Sequence, residues 1–381
     1  MKPSYPLLLA SLFAACATTD DSTVTREVAA QPPPPRLRAD HTNLVDPTTS
    51  KPIVMTGYNW GQWNTMQDGD AADNVRQGAN SVRIPLRWWG DWKSGADSRV
   101  EDPEVDYIDP AHFDLLISTV KAATAKHMWV TIFVDSNYGQ GASDVKGSFL
   151  NFWMQPTEKA KFKQVWRHVV NEFKTYPYIA AYEILPEPRP QYPDANGNPV
   201  PAPNQDVKQF YDDFIDVVRA IDTTTPIVVG PNNAYNLHDL DDAFTNHDPS
   251  NNVIYTGDYF IYDDGEPTAR LPYIQDFLTT RKRPVWINQV GIRSGYADPF
   301  TKADQVLDGL AAMNVGWSWL TFREDTDSPD EHGIYYKPNG AWQVKPCWYR
   351  FVPGYFWPPG AAAPVAGAID TTCPALPSSA R

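Results

Sequence analysis

The chain has few cysteines, no long apolar run and no surplus of positive charge, and each lack removes a class of protein. Three cysteines in 381 residues do not make a disulfide-stapled mini-domain, and a chain this long can fill its own core. None of the seven histidines stands at zinc spacing, so no metal site is expected. The longest apolar stretch, Leu7 to Ala15, is too short to cross a bilayer. There is no Gly-x-Ser-x-Gly, which argues against a serine esterase. No glycine-rich turn follows the first candidate strand, which argues against a doubly wound nucleotide-binding sheet; no cofactor is expected. The formal charge of −14 repels phosphate backbones and excludes nucleic acid as a partner. A neutral polysaccharide is not repelled.

Aromatic residues are plentiful: 14 Trp, 19 Tyr and 16 Phe. Most serve to fill a core. Several fall near strand ends and polar loops, where they can stack on a sugar. The amino terminus reads as an export signal. Lys2 and the short apolar run lead to Leu12-Phe13-Ala14-Ala15-Cys16, which is similar to a lipoprotein processing site over residues 1–16, with Cys16 acylated. Phe13 stands where that signal usually has Leu, so simple secretion stays open. Residues 17–40, with Pro32 to Pro35 in a row, read as an extended tether. The membrane is reached only through the lipid, and the chain is expected to be a monomer. With Cys16 lipidated, Cys347 and Cys373 remain as a pair in an oxidising compartment; two free thiols are the alternative.

From residue 53 onward, strand and helix patterns alternate. Candidate strands are 53–59, 81–86, 129–135, 179–185, 226–230, 253–258, 284–290 and 315–322. They are short, rich in Val, Ile and aromatics, and apolar on both faces, as in a buried parallel sheet. Helical stripes lie between them, at 110–125, 157–173, 205–221 and 301–313. The pattern predicts a single-domain α/β fold, a (β/α)8 TIM barrel over 41–358, followed by a tail at 359–381. No eighth helix is evident, because 335–359 is too rich in Pro and aromatics. Active sites of such barrels lie at the carboxyl ends of the strands. That places Trp60, Arg83, Asp135, Glu187, Asp258, Gln289 and Trp319 around one mouth.

The motifs at those ends resemble glycoside hydrolase family 5, the cellulase-type retaining barrels, over about residues 50–335. Gly57-Tyr58-Asn59-Trp60-Gly61 is similar to the first strand, and Gly78-Ala79-Asn80-Ser81-Val82-Arg83-Ile84-Pro85 to the second. Ala181-Tyr182-Glu183-Ile184-Leu185-Pro186-Glu187-Pro188 resembles the fourth, Pro284 to Gly291 the seventh, and Gly316-Trp317-Ser318-Trp319 the eighth. The resemblance implies a glycoside-hydrolase-like barrel that acts on or binds a β-linked polysaccharide or oligosaccharide, with Glu187 as general acid/base. It implies Arg83 as support for the second carboxylate and Trp319 as a sugar-stacking platform. Trp60, Asp135, Asp258 and Tyr259 complete the expected binding set, with Trp63, Trp88, Trp89 and Trp92 as further aromatic candidates.

The departures fall at the chemistry. The nucleophile position holds Gln289. Pro186 replaces the family's Asn before the acid/base. The sixth strand's His-x-Tyr is Asp258-Tyr259-Phe260, and the third strand's His is Asp135, or Asn137 with a shift of two. An amide is a poor nucleophile. Gln289 therefore marks a non-catalytic carbohydrate-binding barrel, or an orienting group for a substrate whose acetamido group attacks. A third reading moves the second carboxylate to Asp135 or Asp258. Asp135, Glu187 and Asp258 are also oxygen ligands suited to a hard cation, although acids at separate strand ends more often pair with Arg, Lys or water. Residues 323–331 resemble a calcium loop only loosely and read as a solvated acidic loop.

Overall fold

Eight runs of Val, Ile, aromatic and small residues lie side by side in parallel in the computed structural model. It describes residues 34–60, 67, 69–87, 110–135, 156–188, 190–196, 198–245, 247–356 and 373. The strands are β1 (Thr56–Asn59), β2 (Ser81–Arg87), β3 (Trp129–Asp135), β4 (Ile179–Glu183), β5 (Ile227–Val229), β6 (Val253–Tyr255 and Asp258–Ile261), β7 (Trp286–Ile292) and β8 (Gly316–Leu320). Each pairs with its sequence neighbour and β8 pairs with β1. The sixth strand is broken at Thr256-Gly257. Its first piece pairs with β5 and its second with β7, and a Tyr255–Val285 bridge closes the ring. This is the (β/α)8 barrel that the strand–helix alternation predicts.

The outer layer consists of α1 (Asp70–Gln77), α2 (Pro110–Thr124), α3 (Pro156–Phe173), α4 (Asn204–Arg219), α5 (Leu271–Arg281) and α6 (Pro299–Ala312). Their apolar residues recur every three or four positions and face the strands. On α4, for example, Val207, Phe210, Tyr211, Phe214 and Val218 are buried. Where an eighth helix would lie, the chain forms one short helix, Pro346–Phe351, followed by a tight turn. Trp348 of that helix stacks on Phe300 and packs against Trp319. Cys347 and Cys373 are joined by a disulfide.

The barrel floor is closed by residues from the end of the expected tether. Leu37 is fully buried. It joins Leu44, Met55, Trp129, Val228 and Trp286 in an apolar cluster at the amino ends of the strands. Arg36 donates to the carbonyls of Tyr176 and Lys174 and to Thr225 Oγ1. A small antiparallel sheet, Arg38–Asp40 with Asn43–Val45 and Pro52–Ile53, follows. The fold thus begins by Arg36 rather than after residue 40, because a buried guanidinium satisfied by carbonyls is not a solvated linker. The chain divides into Met1–Pro33 and Pro34–Arg381. The signal, Cys16 and most of the expected tether lie outside the described residues. No described helix is long and apolar enough to cross a membrane.

Candidate active site

Side chains inside the barrel are stacked in layers. Strand register fixes which residues point inward, since parallel partners share a face. Asn59 pairs with Arg83, and Arg83 with Thr131. Above the apolar floor comes a polar layer. Arg83 donates to Glu183 through Nε (2.6 Å) and a terminal nitrogen (2.8 Å). Its guanidinium lies 3.5 Å from the centre of the Phe133 ring. Asn288 Nδ2 donates to Glu183 Oε1 at 2.7 Å. Burial works against the charge on Arg83, but Glu183 outweighs it and holds the pKa above its ordinary value. Arg83 therefore belongs to Glu183, with Glu187 one layer higher.

Strand β7 contributes to both layers through a break in its alternation. The register with β8 shifts between Ile287 and Val290. Such a bulge lets consecutive residues face one side. Asn288 reaches down to Glu183, while the next residue, Gln289, reaches the upper layer. There Gln289 Nε2 donates to Glu187 Oε1 at 2.8 Å and to Asp258 Oδ1 at 3.2 Å. Asp258 stands in register beside Gln289 on β6, close enough for Glu187 to shift its titration. Burial, then the charge and hydrogen bond of Glu187, push the Asp258 carboxyl well above the usual range. The shift favours the protonated form of Asp258, the form able to donate toward Glu187.

The turn that carries Glu187 is held from below. Glu187 has φ of 47°, a left-handed conformation that costs a non-glycine residue about 1–3 kcal/mol unless its surroundings impose it. Trp166 Nε1 donates to the Ile184 carbonyl. The hydroxyls of Tyr211 (3.1 Å) and Tyr235 (2.5 Å) both donate to the Leu185 carbonyl. Tyr235 fits because residue 230 is glycine: a Cβ there would lie 2.2 Å from its ring.

Glu187, Gln289 and Asp258 converge at the mouth, and Arg83 lies beneath them. Trp60, Trp319 and Tyr259 do not present a face to a ligand. Trp60 is 3% exposed and donates through Nε1 to Asn74 on α1. Trp319 is fully buried on the outer face of β8 against Trp317 and Trp348. The inward residue at the end of that strand is Leu320, in register with Asn59. Tyr259 points away from the barrel interior, as alternation from Asp258 requires, and donates to the Pro267 carbonyl under Arg270. Asp135 ends β3 in register with Arg87, and its side chain lies outside the described residues. So do Trp63, Trp88, Trp89, Trp92 and Asn137.

One group of possible metal ligands occurs among the described residues: Glu324, Glu331 and His332, with ligand atoms within 4.8 Å of one another. Its charge is already answered. Arg293 pairs with Glu331, Lys345 donates to the Glu331 carbonyl, and the Gly333 N–H donates to Glu324.

Residues 46–325 match the model of the cellulase family, glycosyl hydrolase family 5. Solved structures agree in fold. The catalytic domain of a mannanase from Streptomyces sp. SirexAA-E is 16% identical with a TM-score of 0.60, covering 88% of this chain and 95% of its own. Endoglucanase Cel5A of Thermotoga maritima is 17% identical with a TM-score of 0.57, covering 74% and 91%. Endoglucanase Cel5A of Thermobifida fusca, a Glu-to-Gln variant in complex with cellotetraose, is 16% identical with a TM-score of 0.55, covering 78% and 88%. No curated protein sequence matches the chain.

Proposed function

The chain belongs to the cellulase family, glycosyl hydrolase family 5, and from that premise we propose that it holds a β-linked polysaccharide at the barrel mouth without cleaving it by double displacement. One observation carries this reading: the Gln289 amide donates to both Glu187 and Asp258. Double displacement needs two carboxyl groups about 5–5.5 Å apart, one of them ionised and free to attack, and single displacement needs about 6.5–9.5 Å with a water between. Here the residue facing Glu187 from β7 is an amide. Burial and the neighbouring Glu187 push the Asp258 carboxyl upward, which favours its protonated form and disfavours it as a nucleophile or base. What remains suits recognition. An amide and two carboxyl groups offer donors and acceptors to sugar hydroxyls, and among the described residues no cation bonds Gln289 directly.

The test pairs binding with turnover. The purified domain is incubated with β-glucan, mannan, xylan and chitin oligomers. Retention on polysaccharide gels and new reducing ends are both read. Retention without new ends is expected. Turnover that disappears in Glu187→Ala would overturn the binder reading. Turnover confined to chitin oligomers would point to attack by the substrate's own acetamido group. If Gln289→Glu gains turnover that the unsubstituted protein lacks, the groove is a hydrolase site short of its nucleophile alone. In the same reading the domain is exported and held by a lipid on Cys16. The mass of the mature amino terminus tests that, a free or uncleaved Cys16 being the contrary result.

A further inference from the structure

The ledge directly above the polar floor has no assigned role. Two residues beyond Asp258 on β6 stands Phe260, and two beyond Gln289 on β7 stands Gly291; the two are paired in register. Alternation therefore sets both on the inward face, one step nearer the mouth than the polar pair. Gly291 has no side chain to fill its place, and His332 fills it: a Cβ on Gly291 would lie 3.2 Å from His332 Cδ2 and 3.5 Å from Leu320 Cβ. The His332 and Phe260 rings meet edge to face, with centroids 6.0 Å apart and planes at 65°. Both side chains are partly exposed, unlike Trp60, Trp319 and Tyr259.

We propose that Phe260 and His332 form the sugar-stacking ledge of this site, taking the apolar face of a pyranose ring whose hydroxyls reach Gln289 and Asp258. The inference rests on the glycan-binding reading above and names the residues that give it shape. A pyranose has a polar rim and an apolar C–H face. It needs a hydrogen-bonding floor beside an aromatic wall. The structure offers that pair of surfaces on adjacent rungs of the same two strands. The outward turn of Trp319 leaves aliphatic Leu320 at the end of β8, so among the described residues the aromatic surface lies on the β6–β7 side. The ledge is also uncharged. Burial, then Arg293 and Lys345, draw the His332 pKa down to about 4, while Glu331 lies 3.9 Å from its Nδ1. His332 is therefore a neutral ring at neutral pH and presents no cation to a neutral glycan.

The experiment titrates cellotetraose and mannotriose into the purified domain by calorimetry. Phe260→Ala is expected to weaken binding about tenfold, the scale of one lost stacking contact. Phe260→Trp keeps or tightens it. His332→Ala weakens binding, and His332→Phe, which keeps a ring, restores most of it. Thermal unfolding of each variant reports folding, and the Phe260→Trp and His332→Phe arms do not depend on an alanine variant folding. Equal affinity in Phe260→Ala and the unsubstituted protein would overturn the ledge and leave the glycan reading intact. So would loss of binding in both ring-preserving variants. Absence of binding to the unsubstituted protein on any β-glycan overturns the reading, and the ledge with it.

Discussion

Two polar layers stand one above the other inside this barrel, and the β4 and β7 segments contribute to both. The lower has Glu183 and Asn288; the upper has Glu187 and Gln289. Each is an acid from the β4 segment met by an amide from β7, yet the two behave differently. In the lower layer, Glu183 is fully buried and receives two bonds from Arg83 and one from Asn288. Its charge is matched within the layer. In the upper layer, the central donor is uncharged Gln289 and its two acceptors are both acids. One of them, Asp258, is pushed toward its protonated form. The lower layer is a structural tie anchored by the Arg83 cation, while Gln289 brings an uncharged donor to the upper one. Buried acids at strand ends are therefore sorted by their donors.

That contrast is broken most strongly from below. Arg83→Met leaves Glu183 buried without its cation. Removing one partner of a buried ion pair costs about 3–5 kcal/mol. Urea unfolding at neutral pH should show that loss, with binding failing through unfolding rather than through a lost contact. A small change, under about 1 kcal/mol, would mean that Asn288 and Tyr235 carry Glu183 unaided.

The upper layer answers to pH instead. Asp258 has an ordinary value of 3.8, raised in the folded protein by burial and then by Glu187. Between those two values the folded protein keeps a proton that the unfolded chain has released. Stability from this group is complete below the unfolded pKa and is lost as pH rises toward the folded one. Asp258→Asn keeps the size and a donor but cannot titrate. It should raise the melting temperature at neutral pH, change it little near pH 4, and flatten the profile between. A parallel shift at all pH values would show that Asp258 does not carry the proton.

Much of this was legible in the sequence, and the failures have local causes. The eight strands stand out because helices cover one face and the barrel interior the other, so each reads as an apolar run bounded by turns. Gln289 stands out in the sequence because its strand end is unmistakable. The pairing of Arg83 was harder. Glu183 ends β4 and Glu187 lies four residues further on, and only the layer height separates them. Trp319 failed by one residue: in a strand a single step reverses the face, so the inward position belongs to Leu320. The double inward step at Asn288-Gln289 arises from a bulge that period-two counting does not see. Trp60 follows β1 directly, but its indole N–H is claimed by Asn74 of α1, a partner no strand pattern reveals. Phe260 and His332 come from different elements, and their meeting depends on the missing side chain of Gly291.

The smallest expected effect lies where the two layers touch. Tyr235 donates to the Leu185 carbonyl at 2.5 Å and lies 3.4 Å from Glu183 Oε1, so one hydroxyl borders both layers. Tyr211 shares the same carbonyl. Tyr235→Phe should cost about 1 kcal/mol, the net value of one buried hydrogen bond, and weaken glycan binding little, because Tyr211 still holds the turn. Tyr211→Phe alone should behave similarly. The double variant leaves the Leu185 carbonyl without either donor and frees Glu187 from its left-handed turn. Its loss in urea unfolding should exceed the sum of the single losses by at least about 0.5 kcal/mol, the low end for groups sharing one partner, and binding should fall with it. Simple additivity would place the strain of Glu187 under other control, with Trp166 on the Ile184 carbonyl the remaining restraint to remove.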